Sequence, residues 1–448
     1  MKKRKWLLLV LLALVIWGYI ALFYKTYSRE MVPKSADGIL MLDVKRITNT
    51  IIWNAITTPS QWKVGSIFSK KKKEVRLKDM IDIPDYVMAF HIKGQPAGAW
   101  FLALDIGDEE DFQNGLQQYH FVKSGNNEYV SGKLRVLKNG KRILLGNSSE
   151  KYRTGFKQAA GELFVTKEFA PDEMIRKAIN AKSHLALQIN AGNLFESDGI
   201  LTANFDKNKI VVDGKFTPRA EYVPEEMNLT CQQRSFYCIG FVQPTPAAYS
   251  LLVSDSTKQK IKRVANIDMD SVFLAGKRFY NFDLKGIVSR TDSAITYEMD
   301  EDFNRVEKKV VNKVSEPAFD FSISGDSVKN IYRYFQQNDL LEETDKGALF
   351  RPMPLVSSYV RQLGDKQLSI RAINYQPASD AKEISCLFFQ QLVLDDITPD
   401  MWKSAPDGLN KLFSNISQMI LQINKKGKDV IVSGTIQKKK NDLPIFKF

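Results

Sequence analysis

Residues Trp6 to Tyr24 form an unbroken apolar run of nineteen residues, preceded directly by Lys2, Lys3, Arg4 and Lys5. As a helix rising about 1.5 Å per residue the run spans roughly 29 Å, which matches a bilayer hydrocarbon core of about 30 Å. Nowhere else in the 448 residues is a stretch long and apolar enough to do the same. Trp6, Tyr19, Phe23 and Tyr24 stand near its ends, where amphipathic rings favour the membrane interface. A cleaved secretory signal would be shorter and would end on small residues. This run ends instead on Ile20-Ala21-Leu22-Phe23-Tyr24-Lys25. The expectation is an uncleaved single-pass anchor over 6–24. Four basic residues before it, against Lys25 and Arg29 after it, place the flank 1–5 in the cytoplasm. The large C-terminal body then lies outside the inner (cytoplasmic) membrane, in a periplasm or its equivalent.

That location narrows the partners. The chain carries a net charge of +13, and its first thirty residues account for +5 of it, which leaves +8 on the body. A basic body invites nucleic acid, but an exported one rarely meets it. An envelope protein, a lipid head group or a glycan is the better counterpart. With 44% hydrophobic and 26% charged residues the chain is an ordinary globular one, so disordered and collagen-like classes are excluded. Three cysteines cannot make a disulfide scaffold, and three histidines leave little for a zinc enzyme.

The exported part opens with Val32-Pro33-Lys34-Ser35-Ala36-Asp37 and a dense apolar run, Gly38 to Val44. Ile47, Ile51, Ile52 and Ile56 follow at helical spacing. A proline, an alanine and a strand–helix unit close behind a membrane anchor resemble the start of membrane-anchored envelope proteins of the Bacteroidota type, a family without assigned chemistry. The likeness covers this opening and the general layout. It implies an envelope location and carries over no catalytic residue.

Farther on, Tyr86–Ile92 and Ala99–Ile106 alternate as strands around the turn Lys93-Gly94-Gln95-Pro96. Asp108-Glu109-Glu110-Asp111 marks a helix start, since acidic residues oppose the positive end of the helix dipole. Short strands are expected near 129–130, 134–137 and 143–145, then a helix capped by Ser148 or Ser149. Residues 32–165 read as one exported α+β domain, and 166–448 as a second antiparallel α+β region. Thr217 to Pro246, with Pro218, Pro224, Pro244 and Pro246, is the candidate boundary inside it. Leu201–Phe205 with Ile210–Phe216, and Ile420–Ile423 with Val430–Ile436, read as matching hairpins. Two more are expected at about 279–300 and 367–389, and Phe319–Ser324 should feed a helix from Ser327. These echoes fit either a duplicated strand–helix–hairpin unit or unrelated amphipathic hairpins. The fold class is thus α+β: an N-terminal transmembrane helix followed by antiparallel sheets with packed helices.

Candidate sites are few. Cys231 and Cys238 bracket six residues and could close a local disulfide in an oxidising compartment, two free thiols being the alternative. Cys386, between Ile384 and Phe388, reads as buried apolar packing. His91, His120 and His184 share no ligand spacing. Ser148 lies three residues before Lys151, and Gly325-Asp326-Ser327-Val328 has the look of a lipase serine block, yet helix capping explains both. Asp300, Glu301 and Asp302 lack the loop of a calcium site. No phosphate loop or dinucleotide fingerprint is present, and no cofactor is expected. Lys70, Lys71, Lys72 and Lys73 form the densest basic cluster. They read as a solvated loop or as a contact with an anionic surface.

The expected function is a non-catalytic, membrane-anchored envelope protein whose body binds a protein, lipid or glycan. An envelope hydrolase with a site assembled from distant segments is the alternative. A lipid carrier would need apolar residues on both faces of its long strands. The alternation in Phe279–Val288 suggests one wet face instead, which favours a partner-binding surface.

Overall fold

The computed structural model describes residues 24–59, 75–232, 235–274, 276–299, 305–353, 356–376, 381–395, 413 and 415–439. The anchor expected at 6–24, all but its last residue, the Lys70–Lys73 cluster and the acidic group 300–302 lie outside them. Among the described residues no helix is long and apolar enough to cross a membrane. The chain divides into two compact units between Thr217 and Pro218, the start of the proline-bearing stretch. Residues 166–217 therefore belong to the first unit rather than to a second region.

The first unit contains β1 (Ala36–Asp43), α1 (Val44–Thr57), α2 (Leu77–Met80), β2 (Ile81–Asp82), β3 (Tyr86–Ile92), β4 (Trp100–Ile106), α3 (Glu109–Gln118), β5 (Val122–Gly125), β6 (Glu128–Ser131), β7 (Leu134–Asn139) and β8 (Arg142–Asn147). After α4 (Arg153–Ala160) and α5 (Asp172–Asn180) come β9 (Leu185–Ile189), β10 (Phe195–Phe205) and β11 (Lys209–Pro218). The ladders are antiparallel and run in the order β5-β6-β7-β8-β4-β3-β1-β9-β10. β9 explains why no break falls at 165: it pairs with β1, Leu187 opposite Leu40, and so completes the opening strand's sheet.

Strict alternation in β3 buries Tyr86, Met88, Phe90 and Ile92. These pack with Phe156 and Ala159 of α4 and with Met174, Ile175 and Ala178 of α5. Side chains of this size contribute about 1.5–3 kcal/mol each on full burial. Asp108 caps α3 as its sequence suggests, Oδ1 accepting from the Asp111 amide at 2.9 Å, and Phe112 and Leu116 fill a second cluster with Leu104, Val136 and Ile143.

The second unit contains β12 (Met227–Gln232), β13 (Tyr237–Val242), α6 (Pro246–Leu252), α7 (Asp255–Ala265), α8 (Met269–Phe273), β14 (Arg278–Met299), β15 (Arg305–Gly325), α9 (Val328–Gln337), β16 (Leu341–Thr344), β17 (Gly347–Phe350), β18 (Ser358–Gln362) and β19 (Gln367–Ala372). It ends with β20 (Ala381–Cys386), β21 (Phe388–Val393), β22 (Ile416–Lys426) and β23 (Asp429–Lys438). Its sheet runs β16-β17-β18-β19-β15-β14-β13-β21-β22-β23, again antiparallel throughout. Strand for strand from β16 to β22, this is the order of the first unit. A helix follows β1 and its counterpart β13 (α1, α6), and another follows β4 and its counterpart β15 (α3, α9). The hairpins that looked alike in sequence, β10–β11 and β22–β23, occupy the same place.

Two expected hairpins are different objects. Residues 278–299 are one strand, whose partner is β15 through 21 paired positions. At 367–389, β19 pairs with β15 and β18, β20 pairs with β12 as a separate two-stranded sheet, and β21 pairs with β13 and β22. Periodicity marks a strand but not its partner, which explains both errors. After a bulge between Leu284 and Gly286, β14 and β15 leave the sheet and continue as a two-stranded ribbon. Gly286 turns the strand there at φ 145°, a conformation that L side chains rarely adopt.

Candidate functional site

One face of the second sheet carries aromatic residues. Phe241 stacks on Tyr280 at 5.1 Å, and Tyr280 lies 4.8 Å from Phe273 of α8 and 6.4 Å from Phe321. α9 covers much of this face with Val328, Ile331 and Phe335. Next to that cover, α6 and α8 leave an apolar groove of about 460 Å³ against β13. Its floor is Phe241 and Phe388, paired across β13 and β21, one wall is Ala248, Tyr249, Leu252 and Val253, and the other is Met269 and Phe273. Tyr222, Pro224, Val242, Pro244 and Leu387 line the rest.

Local chemistry fixes the walls. Thr245 caps α6, its Oγ1 accepting from the Ala248 amide at 3.2 Å, with Pro246 at the first helical position, where its missing N–H costs nothing. Tyr249 is buried, and its hydroxyl donates to Asp270 Oδ1 at 2.9 Å, tying α6 to α8. Lys258 of α7 bonds Asp270 at 2.9 Å and lies 5.0 Å above the Tyr249 ring. Burial, then the Asp270 bond, pushes the Tyr249 phenol well above its ordinary value, so it stays neutral. Leu252, at 75% exposed, stands at the mouth. A groove of this size, lined by aromatic and aliphatic side chains, suits an apolar ligand.

A larger hollow in the first unit, about 790 Å³, is lined by Lys78, Asp79, Asp82, Asp105, Lys141 and Arg142. Its charges largely compensate each other: Arg142 pairs with Asp105 at 3.0 Å and Glu30 at 3.4 Å, and Asp79 pairs with Arg76 at 3.0 Å. Ile81, Ile83 and Ile106 also line it, but its three basic and three acidic lining residues leave no net charge to select a ligand.

The other face of the second sheet corrects the expectation of a wet surface. Asn281, Asp283, Ser322 and Ser369 are all buried. The β12–β20 ribbon lies over part of this face, with Met227 and Ile384 packed against Cys238, Val242 and Phe389. Asp283 accepts from the Tyr375 hydroxyl and faces Asp320 across the strands. Lys285 and Arg371 both lie over the Tyr375 ring, at 5.2 and 5.3 Å. Burial pushes the Asp283 carboxyl above its ordinary value, outweighing Ser235, Tyr375 and Lys285, which act the other way. A carboxyl whose folded pKa is raised costs no stability below the ordinary carboxylate range. It costs progressively more as pH rises through that range, because the unfolded chain ionises first. Asp283→Asn should therefore raise the melting temperature at about pH 8 and leave it unchanged at about pH 3, measured by calorimetry.

Cys238 is a free, fully buried thiol whose Sγ donates to Asn281 Oδ1 at 3.7 Å, and the Cys231 side chain lies outside those described. Its strand turns the side chain into the buried polar face, between Asp283 and Gln391. Cys386 is likewise free and buried, with burial pushing its thiol up to about 11. Both should resist a thiol reagent at about pH 8 in the native protein and react after unfolding without reductant.

The serines are not the caps their positions suggested. Ser148 Oγ donates to the Gly132 carbonyl at 2.9 Å. Ser149 and Ser327 stand at N-cap positions without a side-chain capping bond. Ser327 sits at φ 56°, which turns its hydroxyl away from the usual cap geometry. His184 Nδ1 accepts from the Phe205 amide at 3.1 Å, so Nε2–H donates to Thr50 Oγ1 at 2.7 Å. Burial, with Arg46 nearby, holds that imidazole below its ordinary pKa. His91 lies between Asp37 and the Pro96 carbonyl. Among the described residues no group of three or more His, Cys, Asp or Glu is placed to hold a metal ion.

Sequence reasoning missed the groove. Its walls come from segments up to 166 residues apart, Tyr222 to Phe388; the one local signal was the run Ala247-Ala248-Tyr249-Ser250-Leu251-Leu252-Val253.

No family model matches the chain, and no curated protein sequence does. Among solved structures, crystal form III of TP0453 is similar at 13% identity and a TM-score of 0.27, over 54% of this chain and 87% of that one. Crystal form I of TP0453 is similar at 12% identity and a TM-score of 0.28, over 45% of this chain and 82% of that one. Likeness at this level carries no argument about fold or function.

Proposed function

We propose that this is a non-catalytic, membrane-anchored envelope protein, held in the inner membrane by residues 6–24, whose exported body binds the acyl chain of a lipid. The groove of the second unit carries the reading. It is apolar on its floor and both walls, its mouth exposes Leu252, and its one buried phenol is already bonded to Asp270. A glycan would find no polar partners in it. Each methylene transferred from water into such a site contributes about 0.8 kcal/mol.

A protein partner is the second reading, and the β14–β15 ribbon favours it. Ile287, Ile295, Tyr297, Val306 and Val311 are 48–62% exposed along it. The matching pair in the first unit, β3 and β4, has no such extension.

Native mass spectrometry of the protein extracted from its own membrane in mild detergent separates the two. A retained lipid mass supports the groove reading. A stoichiometric protein partner without lipid supports the ribbon. A bare monomer would overturn both and turn attention to a hydrolase.

A further inference from the structure

The first helix of the body leaves a hydrophobic stripe uncovered. None of the residues of α1 is buried, and Ile52, Trp53 and Ile56 are 44%, 67% and 66% exposed. At 3.6 residues per turn these three fall within about 100° of one another. The helix meets the body on another flank, about 60° round from Trp53, where Thr50 bonds His184. Exposed single apolar residues need no explanation, but a contiguous stripe headed by a tryptophan does.

The chain enters the described structure beside this helix. Lys45, in the first turn of α1, donates to the Tyr24 carbonyl. Lys25 pairs with Asp43, the residue that caps α1 by accepting from the Arg46 amide at 2.8 Å. The Thr26 amide donates to Asp85 Oδ2 at 2.8 Å, and Asp85 also pairs with Lys45 at 3.6 Å. Residues 24–26 are therefore clamped to the start of α1, and Tyr24 is the last residue of the apolar run that begins at Trp6.

From this juxtaposition we infer that α1 is an interfacial helix, lying on the phospholipid bilayer from which the chain emerges with Ile52, Trp53 and Ile56 in the head-group–acyl boundary. The inference rests on the reading of residues 6–24 as the anchor. A chain leaving the bilayer at Tyr24 puts the start of α1 at the membrane surface. Fourteen residues of helix then extend about 21 Å. Tryptophan favours that depth, and apolar faces of interfacial helices sit about 5–10 Å into the boundary. A membrane is the occupant the clamp selects; a protein or a second copy has no corresponding feature next to the stripe.

The test uses the full chain in liposomes, with Cys231→Ser to remove a background thiol. One sample carries Trp53→Cys and another Leu11→Cys, each bearing an environment-sensitive fluorophore, and nitroxide lipids serve as quencher. The expected result is about a twofold or greater loss of emission at both positions. Adding Ile52→Glu and Ile56→Glu, at exposed sites that leave the fold intact, should restore emission at 53 but not at 11. Quenching at 11 without quenching at 53 overturns the interfacial helix and leaves the anchor standing. Quenching at neither position overturns both, whereas quenching at 53 alone upholds the helix and overturns the anchor.

Discussion

Arg278→Met should destabilise the second unit by about 3 kcal/mol, although methionine nearly matches the volume of the arginine stem. Arg278 is fully buried. Its guanidinium donates to the carbonyls of Val272 at 2.8 Å, Asp326 at 2.8 Å and Ser327 at 3.1 Å. Tyr280 also donates to the Val272 carbonyl, at 3.0 Å, so that acceptor keeps a partner in the variant. The Asp326 carbonyl loses its partner, whereas that of Ser327 keeps the Asn330 amide at 3.0 Å; a buried unsatisfied group costs about 1–3 kcal/mol, and a hydrogen bond from a charged donor contributes about 1.5–3 kcal/mol. Arg278→Lys should recover only part of the loss, because one ammonium cannot reach three carbonyls in the geometry of a planar fork. Hydrogen exchange of peptides from β14, β15 and α9 should quicken by about 100-fold where opening is limited by this unit, with peptides from β3 and β4 unchanged. Wild-type exchange in Arg278→Met would mean that the three bonds contribute little.

The same arginine explains the segment that looked like a serine block. Gly325 takes φ 128°, and a Cβ there would lie 2.3 Å from the Lys277 carbonyl oxygen. Ser327 follows in the left-handed region at φ 56°. Gly325-Asp326-Ser327 is thus a tight passage from β15 into α9, held by Arg278 through its carbonyls, and its glycine and serine answer a backbone demand rather than a chemical one.

What was legible in the sequence was local. The alternation of Tyr86–Ile92, the acidic cap at Asp108 and the echo between Val211–Phe216 and Ile431–Ile436 each depend on a few adjacent residues, and each has its counterpart in β3, α3 and the matched hairpins. What was illegible depends on partners far along the chain. Asn281 and Asp283 alternate with Tyr280 and Phe282 as if one face met water, yet the buried face takes its surroundings from residues such as Tyr375, 92 positions away from Asp283. Arg278 showed no signal at all, since two of its three carbonyl acceptors, Asp326 and Ser327, become neighbours only when β14 pairs with β15. The groove is the extreme case, because apolar walls and an apolar core have the same composition. Only the placement of α6 and α8 leaves space between them.

That space can be closed by one side chain. Ala248→Trp places an indole from α6 into the groove between Phe241 and Phe273, both of which line it with Ala248. The backbone should accept the change, because the Ala248 amide keeps its bond to Thr245 and the new ring points into empty volume. If the indole displaces two to three methylenes of a bound acyl chain, the loss is about 2 kcal/mol, or about 30-fold in affinity. A fluorescent phospholipid titrated against the full chain in detergent would measure it. Ala248→Leu, with fewer atoms to place, should lose less, and that gradation with side-chain volume separates filling of the groove from unfolding of its walls. Equal affinity for wild type and Ala248→Trp, with both folded, would move the lipid elsewhere on the body. The Tyr249–Asp270–Lys258 tie makes the complementary point. Tyr249→Phe removes the hydroxyl that joins α6 to α8 but leaves the ring as a wall, so it should loosen lipid binding through wall mobility, by less than the indole does through occupancy.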